Sequence, residues 1–108
     1  MDMLEYQHWT RRTRKYGDEW SVYYPTMELA AEVGEIANLV KKIPRDDDNV
    51  LTADRRDKIA KESGDVLWAL ARLLDDCGLE LGDIAQSNID KLEARLKQGT
   101  IQGSGDDR

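Results

Sequence analysis

The chain has 108 residues, a formal net charge of −6, one cysteine and one histidine. That length is one domain's worth, and so short a chain buries a limited share of its surface, which makes oligomerisation a natural route to stability. The acidic balance argues against a nucleic-acid-binding module. Cys77 alone excludes a disulfide framework within the chain and suits a reducing cytoplasm, and no apolar run approaches membrane-spanning length.

Four helical segments are readable in chain order. The first spans about Met3 to Lys15, is weakly periodic, and opens on a stretch that does not read as a signal peptide. A turn follows at Tyr16-Gly17-Asp18. The second runs from about Thr26 to Lys42, with Leu29, Val33, Ile36, Val40 and Ile43 at the spacing of one buried face. Pro44 is expected to end it, and Pro44–Thr52 to form an acidic linker. The third runs from about Asp54 to Asp76, with Ile59, Val66, Leu70, Leu73 and Leu74 on one side and Gly78 just past its end. The fourth runs from Leu81 to Gln98, with Leu81, Ile84, Ala85, Ile89, Leu92 and Leu96 as a stripe. No segment alternates with a strand's period. The expectation is one all-α, four-helix domain of helical hairpins over residues 1–108, with 99–108 a glycine-rich tail.

An acidic residue on a helix is ordinarily a solvated one. Angular position sets some of these apart. At about 100° per residue, Glu32 falls between Leu39 and Ile43, inside the apolar arc of the second helix, with Glu28 and Glu35 on its border. Glu62 falls between Ala69 and Leu73 on the third helix, and Asp65 borders the same arc. Unpaired buried carboxylates cost several kcal/mol each, so such a group is expected to be protonated, bound to metal, or paired with Lys or Arg. Oxygen-only ligation suits Mg²⁺, with Mn²⁺ as a substitute. One Cys and one His cannot build a usual zinc site, and a di-iron bundle wants Glu-x-x-His pairs.

On the fourth helix Asn88 also lies inside the apolar arc, flanked by Lys91 and Arg95. Beside a metal site, such a strip is a phosphate-contact surface; otherwise Asn88 caps a backbone group and the cations snorkel. Trp68 lies opposite the apolar arc of its helix and is expected to be exposed, which favours an oligomer.

The runs Glu-Leu-Ala-Ala-Glu-Val-Gly-Glu-Ile, Glu-Ser-Gly-Asp-Val-Leu-Trp and Asn-Ile-Asp-Lys-Leu resemble the MazG-like nucleotide pyrophosphohydrolases, with Glu32-x-x-Glu35 and Glu62-x-x-Asp65 as the paired acidic motif. The ending from Gly99 to Arg108 is similar to the tail of short single-domain members. The resemblance covers Thr26 to the end well and the first helix loosely. It implies an all-α homodimer or homotetramer, an oligomeric helical bundle. It also implies Mg²⁺ held by Glu32, Glu35, Glu62 and Asp65, and conversion of nucleoside triphosphates, deoxynucleotides included, to monophosphate and pyrophosphate in nucleotide-pool house-cleaning. Glu32 and Glu35 are the candidates for catalysis. Asn88, Lys91, Arg95 and Lys42 are the candidates for orienting the nucleotide, and Tyr23, Tyr24 or a Trp for stacking on its base. Ala31 stands where some members carry a further Glu, so the division between ligand and base stays open. A helical dimerisation module or a divalent-ion sensor are the alternatives; the first does not explain carboxylates inside an apolar arc.

Overall fold

Residues 1–106 are described by the structure, a computed structural model. They form α1 (Met3–Thr10), α2 (Tyr23–Val40), α3 (Lys42–Asp46), α4 (Ala53–Asp76) and α5 (Leu81–Gln98), with short 3-10 turns at Arg11–Thr13 and Asp18–Trp20. No strand occurs among the described residues. The local chemistry accounts for the boundaries. Asp2 accepts the Glu5 N–H at 2.8 Å to start α1, and Thr52 accepts the Arg55 N–H at 3.1 Å to start α4. Gly99, at φ 69° in the left-handed region, ends α5 where the sequence predicts.

Three boundaries differ from expectation. The first helix gives way after Thr10 to a 3-10 turn, and the Thr10 hydroxyl donates to the Gln7 carbonyl at 2.6 Å. The second starts earlier, at Tyr23, because Pro25 falls in its first turn, where the N–H is not needed. It stops at Val40, and the expected linker opens with the short helix α3. Pro44 cannot donate back to the α2 ladder, so the helix breaks near Lys41 and restarts with the proline in a new first turn.

α2 and α4 form the main helix pair, and α1 packs against α4 and α5. Ala71, Leu74 and Leu81 make a small core with Tyr6, Leu67 and Leu70 packed on it. Gln7, fully buried, fastens α1 to the α4–α5 junction. Its Nε2 donates to the Leu79 carbonyl at 2.8 Å and its Oε1 accepts the Leu81 N–H at 2.9 Å. Arg72, only 2% exposed, donates to Thr10, Asp75 and Asp76. Asp76 also accepts the Tyr16 hydroxyl at 2.7 Å and the backbone N–H of Val22 at 3.0 Å. Val22 itself is held at φ 70°, a strained conformation for a β-branched residue.

Trp68 is not exposed as its own helix suggests. It is half-buried, and its indole N–H donates to the Thr13 hydroxyl at 2.7 Å. A wheel drawn on one helix cannot register that the segment after α1 covers the far side. It therefore gives no argument for an oligomer. The stripe on α5 gives one instead. Leu81 is buried, but Ile84, Ile89 (49%), Leu92 and Leu96 (65%) remain exposed, as do Met27, Val33 and Val40 on α2. The radius of gyration is 17.0 Å, against about 13 Å for a compact chain of this size. The apolar faces read as core are thus only partly covered within one chain.

Candidate active site

Glu32 and Glu62 stand at equal sequence distances from Asp47 in the linker, the condition for two residues to meet across a helical hairpin. The linker is pinned by Arg55, whose Nε donates to Asp47 at 2.9 Å, with both side chains largely buried. One carboxylate oxygen from each of Glu32, Glu62 and Asp65 then lies within 4.8 Å of the others. Glu32 and Glu62 are half-buried and Asp65 exposed, so the group opens to solvent on one side. An oxygen-only set at this spacing fits a hard divalent cation.

Glu35 is exposed and stands outside this group. Two neighbours were missed in the sequence reading of the site. Glu28, one turn before Glu32, is the first cause of the rise in that residue's pKa; the signal was its place on the border of the same arc. Tyr6 comes from α1, whose weak periodicity gave no hint. Burial raises its phenol's pKa, and the charge of Asp65 raises it further.

Glu32 is pushed up from 4.5 to about 7, first by its hydrogen bond with Glu28, then by burial and by Glu62 and Asp65. Above about 4.5 the unfolded chain has released this proton, whereas the folded, metal-free chain keeps it until about 7. Folded stability therefore falls across that window as pH rises. In chelator, the melting temperature of the wild type should drop between pH 5 and 8 relative to Glu32→Gln. Parallel pH profiles for the two proteins would refute this.

The other predicted residues lie elsewhere. Asn88 is exposed, not inside a covered arc, because nothing among the described residues lies over that part of α5. It lines a shallow groove of about 220 Å³ with Ile84, Ser87 and Lys91. Lys91 and Arg95 contact Asp106 in the segment after α5; Asp107 and Arg108 of the predicted tail lie outside the described residues. Lys42, at the start of α3, is half-buried, and its charge acts on Asp46. Of the aromatic candidates, Tyr24 and Trp20 line an open cavity of about 500 Å³ with Lys15, Tyr16, Gly17 and Glu19. Tyr16 and Tyr24 stack there at 4.8 Å. Tyr24 precedes Glu32 by two turns on α2, about 12 Å.

Residues 25–100 match the family model described as the MazG nucleotide pyrophosphohydrolase domain. The chain is 49% identical over 85 residues to the Gene 37 protein of Mycobacterium phage L5, covering 79% of this chain and 75% of that protein. No solved structure matches the chain.

Proposed function

The chain belongs to the MazG nucleotide pyrophosphohydrolase family, and from that premise we propose that it hydrolyses nucleoside triphosphates, deoxynucleotides foremost, to monophosphate and pyrophosphate in a Mg²⁺-dependent reaction that clears the nucleotide pool. The observation that carries this reading is the convergence of Glu32, Glu62 and Asp65 from two helices. Those three would hold the cation; Glu35, exposed and outside their cluster, is not needed to form the set. Bound Mg²⁺ would supply neutralisation of charge on the phosphates and the departing pyrophosphate.

The chain's own residues divide the remaining work. Glu32, half-buried and facing Glu62 and Asp65, accepts a proton from the water that attacks the α-phosphorus, through the carboxylate oxygen that the cation leaves free. Lys91, Arg95, Asn88 and Lys42 orient the phosphates. The cavity beside Tyr24 and Trp20 offers aromatic faces to the base. Pyrophosphate release across a panel of nucleotides, with and without Mg²⁺, tests the reading. Metal-dependent release from at least one triphosphate is expected; none from any of them ends it.

The working form is a homo-oligomer, a dimer or tetramer, because a second copy would cover the exposed α5 stripe. Light scattering should give a mass above that of one chain. The double variant Ile89→Asp/Leu92→Asp should dissociate it, because each carboxylate would have to be desolvated at the interface. A stable, active wild-type monomer would count against this.

A further inference from the structure

After Gly99 the chain turns back along α5. The Thr100 N–H donates to the Arg95 carbonyl at 2.9 Å, the Gly103 N–H donates to the Thr100 carbonyl at 3.0 Å, and Gly105 adopts φ 81°. This brings Asp106 onto the two cations. Lys91 Nζ lies 3.2 Å from its Oδ1 and Arg95 Nη2 lies 3.4 Å from the same oxygen. Arg95 Nη2 also donates to the carbonyls of Gly105 at 3.3 Å and Asp106 at 3.1 Å. The Arg95 side chain is 5% exposed under this strap, and its Nε has no hydrogen-bond partner among the described residues.

Two cations thus share one carboxylate, and one buried donor is left over. Lys91 also lines the groove with Ser87 and Asn88, so neutral polar groups continue the strip toward the start of α5. The Asp106 side chain, by contrast, is 85% exposed. An ion pair with one partner in water is a weak tie. A polyphosphate brings more charge and more acceptor oxygens than one carboxylate, and oxygens of the same kind.

The geometry points to an anion site on α5, made by Lys91 and Arg95 with Ser87 and Asn88 beside them, that the Asp106 carboxylate fills until a polyphosphate chain displaces it. The segment 100–106 is then a strap that the triphosphate opens. This rests on the reading of Lys91 and Arg95 as phosphate contacts, and it adds a competitor built into the chain.

The test uses the full chain and inorganic tripolyphosphate as the probe, in chelator so that the carboxylate group takes no metal. Calorimetry should show Asp106→Asn binding tripolyphosphate about two- to fivefold more tightly than the wild type, the range that loss of one exposed ion pair supports. Hydrogen exchange of the 100–106 amides should speed up when the wild type is saturated. Lys91→Ala should weaken binding. Equal affinities of Asp106→Asn and wild type, slowed exchange of the strap, or no tripolyphosphate binding would each overturn the inference. None of these readouts uses turnover. Normal displacement of the strap in a protein that releases no pyrophosphate would sink the hydrolase reading alone, and turnover with an indifferent strap would sink this one alone.

Discussion

Glu32→Gln should lower pyrophosphate release by about a hundred- to ten-thousand-fold, the usual loss when a general base is removed. Gln keeps the shape and one oxygen but cannot accept the proton. In this protein the substitution has a second, opposite effect. Glu32 is packed among Glu28, Glu62 and Asp65, so neutralising it removes like-charge repulsion that the metal-free fold carries at neutral pH. The variant should therefore be less active and, in chelator at pH 8, more thermostable. That pairing separates it from ordinary damage, which would lower both. Mg²⁺ affinity gives the third readout. If turnover falls and metal affinity stays within a few-fold, Glu32 acts as the base. If metal affinity falls as far as it does in Glu62→Gln and Asp65→Asn, Glu32 is a ligand and the base lies elsewhere. Retained turnover would remove Glu32 from both roles.

What the sequence made legible was set by single-helix geometry. Glu32 and Glu62 were placed inside apolar arcs by angle alone, and the hairpin brings their oxygens together with that of Asp65. The α5 limits were readable because Leu81 starts a clean period and Gly99 supplies a left-handed cap. Contacts between distant segments left no periodic trace. Thr13 bonding the Trp68 indole, Gln7 bonding across the α4–α5 junction, and the charge of Asp65 acting on Tyr6 all depend on where α1 docks. The α5 arc misled for a related reason. A wheel finds an apolar stripe but not what covers it, so Asn88 was read as enclosed when one chain leaves it exposed. Lys91 and Arg95 were recognisable as a cationic strip, whereas the carboxylate that now sits on them required the fold of the segment after Gly99.

Arg72→Ala should destabilise the protein by about 3–5 kcal/mol, the cost of leaving a buried charge without its partner. Arg72 is the hub that joins α1 to the end of α4. Its Nη1 reaches Thr10 at 3.3 Å and Asp75 at 3.0 Å, and its Nη2 reaches Asp76 at 3.2 Å. Asp75 would retain Arg11 at 2.9 Å, an exposed partner. Asp76, whose side chain is 4% exposed, would keep only Arg14 at 3.8 Å among the cations of the described residues. It would then hold a buried charge beside Tyr16 and the strained Val22, the two residues whose positions it fixes at the edge of the aromatic cavity. Nucleotide affinity should fall with stability, since Tyr16 is a wall of that cavity. The effect should also depend on acid. Arg11 first, and then Arg72, hold the Asp75 carboxyl below its ordinary 3.8. A carboxyl depressed in the folded state stabilises above its unfolded value and loses that contribution as pH falls. The gap between wild type and Arg72→Ala should therefore be full at neutral pH and shrink below about pH 4. Urea melts of both proteins at one chain concentration would measure it, with Arg72→Met as the control that fills the space without charge. A loss under about 1 kcal/mol at pH 7, as for a surface ion pair, would show that the α1–α4 joint is held by Gln7 and the small core instead.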